Sequence, residues 1–269
     1  MPMVCLLFLL LPFAAPAAHE ARPSPPVRVR VLTYNIHHGE GTDRKLDLPR
    51  IAKVIKEAEA DVVALQEVDV ETRRTGGVDQ AAELAKLTGM TGHFGKSIDF
   101  GGGQYGNAIL SRFPTTRPTT LPLPADAPRE NRCALAVEVT HPQAGTRFLF
   151  AATHLDHLPD ETARLAQVKV INGKPVGTAK EGAEELPALL AGDLNATPGS
   201  GPIQRLLERW TDADVKASPT FPSDHPRKKI DYVLYRPAGR WKVVETRVIE
   251  EKVASDHRPV LVVLELLPR

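Results

Sequence analysis

The sequence has almost no cysteine, and this excludes a fold held together by disulfide bonds. Its 269 residues include two cysteines, Cys5 and Cys133, and Cys5 lies in an N-terminal apolar run that we predict to be removed. A single remaining cysteine cannot form an internal disulfide, so the fold has to be stabilised by its apolar core. Cys133 lies in the alternating run RCALAVEV, where a packed thiol is expected rather than a nucleophile.

An excess of positive charge is also missing. Lys plus Arg number 34 and Asp plus Glu number 33, whereas a protein that grips long nucleic acids usually presents a basic face. The balance argues against that class but allows a local basic cleft. The clusters Arg44–Lys45 and Arg227–Lys229 are interpreted as solvated turns, with a polyanion-binding role as the alternative. With 42% hydrophobic and 25% charged residues, the composition is that of an ordinary globular protein.

Sequence signatures of several enzyme classes are absent. The chain has no HExxH and no cysteine cluster, so a zinc site of those types is not indicated. It has no GxSxG nucleophile elbow and no P-loop, which excludes the common serine-hydrolase and P-loop arrangements. The glycine-rich segment Gly101–Gly103 precedes QYGNAIL and is interpreted as a hairpin or a flexible lip.

A long apolar run occurs at the N-terminus, from Val4 to Ala15, and no later stretch approaches the length of a membrane span. The run is short for crossing a bilayer and ends at the small-residue triplet Ala15–Ala17, a plausible cleavage site. We therefore predict a signal peptide at residues 1–17, a Pro-rich leader at 18–26, and a secreted or periplasmic protein. No Lys or Arg precedes the run, so an N-terminal anchor and a misassigned start codon remain alternatives.

Strand patterns dominate the rest of the chain, and helical patterns lie between them. VRVRVLTYNI alternates and is rich in β-branched residues, which predicts a strand ending at Asn35. DVVALQEV predicts a strand that ends at Glu67. LDLPRIAKVIKEAEA and VDQAAELAKLTG have apolar residues at helical spacing, with Gly89 as the expected C-cap of the second helix. Other strand patterns are HFGKSID, GNAILSR, CALAVEVT, RFLFAATHL, ALLAGDLN, KKIDYVLYR, WKVVETRVIE and RPVLVVLEL; ETARLAQVKVING and GPIQRLLER predict helices.

This order of elements predicts one α/β domain at residues 27–269, with two packed sheets and helices on the outside. The Pro-rich stretch RFPTTRPTTLPLPADAPRE is interpreted as a surface loop rather than as a domain boundary. We find no internal repeat, and we predict a monomer.

Polar side chains recur where apolar strands end. Each is a carboxylate, a carboxamide or an imidazole, and the set comprises Asn35, Glu67, His154, Asp193, Asn195, Asp231, Asp256 and His257. A turn accounts for any one of them, since Asn and Asp are common turn formers. The recurrence indicates a site instead, because buried charges are costly unless they are paired or bind a metal. Loops above rigid strand ends are also where α/β proteins usually build sites.

The residue types in this set favour a hard metal ion. Asn35, Glu67, Asp193, Asn195 and Asp256 offer oxygen ligands. Such ligands suit Mg²⁺, Mn²⁺ or Ca²⁺ rather than Zn²⁺.

The motifs TYNIHHG, LQEVD, GNAILSR, THLDH, GDLNATP, IDYVL and SDHRPV occur in this order, and together they resemble the endonuclease/exonuclease/phosphatase superfamily. Its members are metal-dependent phosphoesterases related to pancreatic deoxyribonuclease. The resemblance extends over residues 27 to 267, to a bacterial secreted group in particular. It implies a four-layered α/β sandwich of two mainly antiparallel sheets with helices on the outside. It also implies a phosphoric ester hydrolase that uses Mg²⁺, with Mn²⁺ or Ca²⁺ as alternatives.

The same resemblance implies a role for each strand-end residue. Glu67 is expected to be a metal ligand, joined by Asn35 and Asp256. Asp193 is expected to orient and deprotonate the attacking water, and Asn195 to hold that water or a phosphate oxygen. The remaining expected roles are charge stabilisation by His257 paired with Asp231, and hydrogen bonding to a non-bridging oxygen by His154.

Three further residues are weaker candidates for substrate binding. Arg74 and Arg132 are interpreted as phosphate clamps, because a guanidinium donates two parallel hydrogen bonds to phosphate oxygens; the alternative is a surface arginine. Asn107 is expected to contact the substrate or to close a turn before its strand. His157 has no role implied by the resemblance and is left as a solvated residue or a contact on the substrate side.

The sequence predicts a phosphodiester or phosphomonoester substrate that is small or lipid-linked. Relatives that bind duplex DNA carry basic, aromatic loops, whereas aromatic residues here make up 5% and the net charge is +1. A secreted endo- or exonuclease and a non-catalytic phosphate-binding protein are the alternatives. The complete set of acidic residues and histidines argues against the non-catalytic alternative.

Overall fold

The computed structural model describes residues 27–126, 129–143, 145–173 and 186–268. The predicted signal peptide and Pro-rich leader lie outside these residues. The described residues form twelve strands, four helices and three short 3₁₀ turns. The strands are β1 (Val27–Asn35), β2 (Val62–Val70), β3 (Thr91–Phe100), β4 (Gly103–Ser111), β5 (Thr119–Leu123), β6 (Arg132–Thr140), β7 (Arg147–His154), β8 (Ala188–Asp193), β9 (Thr211–Asp212), β10 (Asp231–Arg236), β11 (Trp241–Val248) and β12 (Val260–Leu266). The helices are α1 (Leu48–Glu57), α2 (Gln80–Thr88), α3 (Thr162–Gly173) and α4 (Gly201–Leu207), and the 3₁₀ turns are His37–Gly39, Arg73–Thr75 and Ala238–Arg240.

The strands form two six-stranded sheets, in the orders β11-β12-β1-β2-β4-β3 and β5-β6-β7-β8-β10-β9. Each sheet contains one parallel pair, β1 with β2 and β7 with β8, and its other pairs are antiparallel. The predicted pair of mainly antiparallel sheets is therefore confirmed.

The alternation of side chains along each strand explains the layering. In β1, Val31 belongs to the apolar cluster between the two sheets, whereas its neighbour Leu32 belongs to the cluster under α1 and α2. In β8, Leu189 faces the other sheet and Leu190 packs in the cluster that contains residues of α3 and α4. Because successive residues of a strand point to opposite faces, strands that are apolar at every position bury both sides. The result is the predicted four-layered sandwich with helices on the outside.

Helix boundaries follow local capping chemistry. The Asp47 carboxylate accepts a hydrogen bond from the Arg50 amide and begins α1, and Asp79 does the same for α2 with Ala82. Gly89 ends α2 at φ 71°, which is the C-cap conformation that favours glycine. Among the described residues, none of the helices is long and apolar enough to cross a membrane.

The interpretation of the Pro-rich stretch as a loop is wrong in part. Residues Thr119–Leu123 form β5, which pairs with β6 so that Pro122 lies opposite Cys133. β5 is the edge strand of its sheet, and an edge strand tolerates proline because one side of its backbone needs no ladder partner.

Gly192, the residue directly before Asp193, allows β8 to pack closely against β7. A Cβ atom at this position would lie 1.9 Å from the Thr153 carbonyl oxygen. We expect Gly192→Ala to lower the free energy of unfolding by about 1–3 kcal/mol, the usual cost of overpacking. Urea denaturation measures this loss. Gly239→Ala is the control, because a Cβ there meets nothing within 4 Å. Equal stability of the two variants would contradict this explanation of the GD motif.

Candidate active site

The predicted catalytic residues are brought together where strands of the two sheets end. Asn35 is the last residue of β1, His154 that of β7 and Asp193 that of β8. His154 lies beside Asp193 in the parallel register, and Asp231 lies opposite Asp193 in the antiparallel register of β10. Strand pairing by itself therefore brings three of the predicted catalytic side chains next to one another.

These strand ends open into a cleft of about 690 Å³, a volume typical of small-molecule sites. The predicted residues that line it are Glu67, Arg132, His154, Asp193, Asn195, Asp256 and His257. Asn35 and Asp231 do not line the cleft, but each contacts a residue that does. The cleft is thus lined by both kinds of side chain predicted at the strand ends, oxygen ligands and imidazoles.

Asp193 lies at the centre of the polar contacts. The Asn35 amide donates to Asp193 Oδ2 at 3.1 Å and to Glu67 Oε1 at 3.0 Å, which ties β1 and β2 of one sheet to β8 of the other. The Asn195 backbone amide donates to Asp193 Oδ1 at 2.9 Å. Burial, reinforced by the nearby Asp231 carboxylate, raises the pKa of Asp193 to about 7 despite the opposing effect of His257.

His257 is held by Asp231 and faces Asp193. Its Nδ1 lies 3.0 Å from Asp231 Oδ2, and its Nε2 lies 3.7 Å from Asp193 Oδ2. The Thr220 hydroxyl donates to the same Asp231 oxygen at 2.5 Å. Burial by itself lowers the pKa of His257, but the Asp231 and Asp193 carboxylates outweigh it and raise the pKa to about 10. The site therefore favours the imidazolium form of His257.

His154 differs from His257 in charge. Burial and, next, the Arg132 guanidinium hold the pKa of His154 well below its usual value, so the ring is neutral. Arg132 Nη1 lies 3.2 Å from His154 Nδ1, and a guanidinium can only donate. On the other side of the ring, the Asn195 side-chain nitrogen lies 3.0 Å from His154 Nε2. The same Nε2 lies 3.5 Å from Asp193 Oδ2.

Backbone geometry directs Glu67 and Asn195 toward the site. The register of β2 against β4 shifts between Leu65 and Val68, which is a bulge that re-aims the intervening side chains. Glu67 has φ 58° and Asn195 has φ 46°, in the left-handed region that non-glycine residues seldom occupy. Residues held in such conformations are concentrated at functional sites.

The predicted metal ligands are oxygen donors of the kind that a hard divalent cation binds. Glu67 and Asp256 line the cleft with carboxylates, and the Asn35 amide contacts Glu67. The donors are oxygen-rich and include no thiolate, since Cys133 is buried against the Gly95 carbonyl and the Ser97 and Asn107 side chains. Such a donor set suits Mg²⁺, Mn²⁺ or Ca²⁺.

Arg132 lies in the cleft and organises one of its walls. It is buried, and its guanidinium pairs with Glu130 at 2.7 Å in addition to His154. Its Nη2 lies 3.2 Å from His157 Nδ1, so His157 belongs to the same wall. Arg132 therefore holds the two histidines of the THLDH motif.

The structure does not bring Arg74 or Asn107 into the cleft. Arg74 forms two hydrogen bonds, at 2.6 and 2.8 Å, with the buried Asp69 and stacks over Phe100 at 4.6 Å. Asn107 is buried and donates to the Cys133 carbonyl at 3.0 Å. A buried carboxylate and a buried carbonyl therefore engage these side chains, and a direct substrate contact by either residue stays a prediction.

The interpretation of the cluster Arg227–Lys229 as a solvated turn is wrong for one of its members, Lys229. Lys228 is exposed, as expected, and lines the cleft. Lys229 is buried, and its Nζ lies 2.6 Å from Asp212 Oδ2 and 2.8 Å from the Asp214 carbonyl oxygen. Sequence alone does not distinguish these lysines, because their environments depend on strands distant along the chain.

Sequence reasoning also missed part of the cleft wall. Further lining residues include Tyr105 of β4, Arg164 of α3, Glu130 and Glu161. Arg164 is buried and donates to the carbonyl oxygens of Asp156 at 2.9 Å and Leu158 at 2.6 Å, which fixes the loop after β7. A helical pattern predicts α3 but gives no sign that one of its arginines holds a loop.

Comparisons with known proteins agree with this fold. The model of the endonuclease/exonuclease/phosphatase family matches residues 32–257. YbhP of Escherichia coli is 26% identical over 248 residues, which cover 86% of this chain and 94% of YbhP. A solved endonuclease/exonuclease/phosphatase structure from Beutenbergia cavernae has a TM-score of 0.73 at 26% identity, over 89% of this chain and 72% of that one. A mannosyl-6-phosphatase from Bacteroides thetaiotaomicron has a TM-score of 0.71 at 20% identity, over 88% of this chain and 99% of that one.

Proposed function

The chain belongs to the endonuclease/exonuclease/phosphatase family, a family of phosphoesterases, and from this premise we propose that it hydrolyses a small or lipid-linked phosphoester with a divalent metal ion. The observation that carries the proposal is the placement of Asp193. This buried carboxylate is fixed by Asn35 and faces both a neutral and a cationic histidine at one cleft. A base, hydrogen-bond donors and a positive charge thus surround the position where a phosphoryl group would lie.

Glu67, Asn35 and Asp256 would hold the metal ion. Mg²⁺ suits these oxygen donors, and Mn²⁺ or Ca²⁺ are alternatives. Bound there, the ion would stabilise negative charge on the phosphoryl oxygens and on the leaving oxygen.

The roles of the protein side chains follow from their contacts. Asp193 would orient and deprotonate the attacking water, because its Oδ2 lies 3.5 Å from His154 Nε2 and 3.7 Å from His257 Nε2. His257, as an imidazolium held by Asp231, would stabilise the charge that develops on the phosphoryl group. His154 would donate a hydrogen bond to a non-bridging oxygen, while Asn195 would hold the water or a phosphate oxygen.

The cleft supports a compact substrate rather than a long polyanion. Cationic side chains from Arg132, Arg164 and Lys228 line it, but so do the carboxylates of Glu130 and Glu161. Mixed charge of this kind fits a phosphate attached to a small polar group, and it disfavours a continuous phosphate backbone. A protein of the same fold is a mannosyl-6-phosphatase, which agrees with such a substrate. The apolar N-terminal run supports secretion or a periplasmic location as part of this proposal.

A substrate panel tests the proposal directly. Phosphomonoesters (sugar phosphates among them), phosphodiesters, phospholipids, DNA and RNA would be incubated with Mg²⁺, Mn²⁺ or Ca²⁺ at low salt, with Asp193→Asn as the inactive control. We expect turnover of a small or lipid-linked phosphoester that stops when a chelator is added. Activity confined to DNA or RNA, and falling steeply with salt, would favour a nuclease instead. No turnover of any substrate with any of the ions would favour a phosphate-binding protein.

A further inference from the structure

Two histidines beside Glu67 are not used by the proposed reaction. His37 and His38 follow Asn35 at the end of β1 and form a 3₁₀ turn with Gly39. One ring nitrogen of each histidine and a carboxylate oxygen of Glu67 all lie within 4.8 Å of one another. Three potential ligands at this separation can surround a single metal ion.

The polar contacts of the two rings leave one nitrogen of each ring available to bind a metal ion. His37 Nδ1 lies 3.1 Å from the Glu40 carbonyl oxygen, which can only accept, so the neutral ring keeps its proton there and exposes the lone pair of Nε2. His38 Nε2 lies 3.7 Å from the Glu40 carboxylate, while its Nδ1 is buried without a hydrogen-bond partner. Metal-binding histidines usually have such an oxygen partner on the ring nitrogen that does not bind the metal. Glu40 supplies it for both rings.

The backbone that presents the cluster is held in an unusual conformation. His37, His38 and Glu67 have φ values of 46°, 44° and 58°, all in the left-handed region. Gln80, which is buried, fixes the turn, because its amide donates to the His38 carbonyl at 2.6 Å and accepts from the Asp69 amide at 2.9 Å. Gly39 allows the close packing, since a Cβ there would lie 2.9 Å from Leu48 Cδ2. These contacts hold the turn in its left-handed conformation.

We propose that His37, His38 and Glu67 form a second metal site that takes a first-row transition-metal ion, such as Zn²⁺, in preference to Mg²⁺. Two imidazoles and one carboxylate are a donor set that suits Zn²⁺, whereas Mg²⁺ prefers oxygen ligands and retains water. Three protein ligands leave a position open for water or a phosphate oxygen. The inference rests on the proposed function in that Glu67 would serve both ions, and Glu67 lines the cleft.

Zinc binding to the protein without an affinity tag tests this inference. Calorimetric titration with Zn²⁺ in excess Mg²⁺ would be compared between the wild-type protein, His37→Gln and His38→Gln, with Co²⁺ absorption as a second measurement of imidazole ligation. We expect each substitution to weaken Zn²⁺ binding by about 100-fold or more. Changing a residue that only supports a metal ligand typically weakens metal binding by about 10- to 100-fold, and here the ligand itself is removed. His225→Gln is the matched control, because His225 is exposed and belongs to no such cluster among the described residues.

The outcomes separate this site from the proposed reaction. Zn²⁺ binding that is unchanged in both variants, or equally weakened by His225→Gln, would overturn the inference. Asp193→Asn should keep the Zn²⁺ binding that depends on His37 and His38 while losing hydrolysis, because Asp193 is outside this cluster. If the panel of phosphoesters shows no turnover but His38→Gln still loses Zn²⁺, the metal site stands and the proposed function falls. Circular dichroism of each variant establishes that lost binding is not lost folding.

Discussion

Replacing Asp193 with asparagine is expected to lower kcat for phosphoester hydrolysis by about 10²- to 10⁴-fold, the contribution usual for a positioned general base. Asparagine has nearly the same shape, so its oxygen can still accept the backbone hydrogen bond that Asn195 donates at 2.9 Å. It cannot accept a proton from water. The measurement is steady-state hydrolysis of the best substrate in the panel, with the metal ion at saturation.

The stability of the Asp193→Asn variant distinguishes a catalytic effect from a structural one. Burial raises the pKa of Asp193, which means that the folded environment disfavours the charged carboxylate. Replacing it with a neutral isostere removes that cost, which offsets the loss of the hydrogen bond that the Asn35 amide donates to Asp193 Oδ2, so we expect only a small loss of stability in urea denaturation. Asp99→Asn is the control for kcat, because Asp99 is exposed and pairs with Lys96 far along the sheet in β3. A variant that keeps full turnover would show that Asp193 is not the base.

The strand-end part of the site could be predicted because two sequence features coincide there. An apolar run determines where a strand is buried, and the first polar residue after it lies at the strand end. For β7 and β8 this places His154 and Asp193 side by side, since the strands are parallel neighbours in register. No knowledge of loop structure is needed for this step, which depends on strand pairing alone.

The pairing of Arg74 with Asp69 could not be predicted from the sequence, because it depends on a bulge. In a regular strand Glu67 and Asp69 would point to the same face, and an arginine a few residues later would be free to meet a phosphate. The register shift between Leu65 and Val68 separates the two carboxylates. Glu67 then lines the cleft, while Asp69 is fully buried and binds Arg74. Neither the bulge nor the burial of Asp69 has a signature in the sequence.

The contact between His257 and Asp231 leads us to expect a large loss of activity when His257 is replaced. We expect His257→Gln to lower kcat by about 10²- to 10³-fold, the usual loss when one preorganised donor to a developing oxyanion is removed. His257 faces Asp193 at 3.7 Å, and its other nitrogen is held by Asp231 at 3.0 Å. The imidazolium form depends on these carboxylates, because they raise the pKa of His257 against the effect of burial.

A double-mutant cycle decides whether Asp231 acts through His257. Asp231→Asn should also lower kcat, because it removes a negative charge that favours the imidazolium, but the double variant should be no slower than His257→Gln alone. Residues that act as a unit give such non-additive losses. Asp231 also accepts a hydrogen bond from Thr220, and Thr220→Val therefore measures how much of the Asp231 effect is positional. If the losses from His257→Gln and Asp231→Asn simply multiply, the two residues contribute independently, and Asp231 does not act by orienting and charging the histidine.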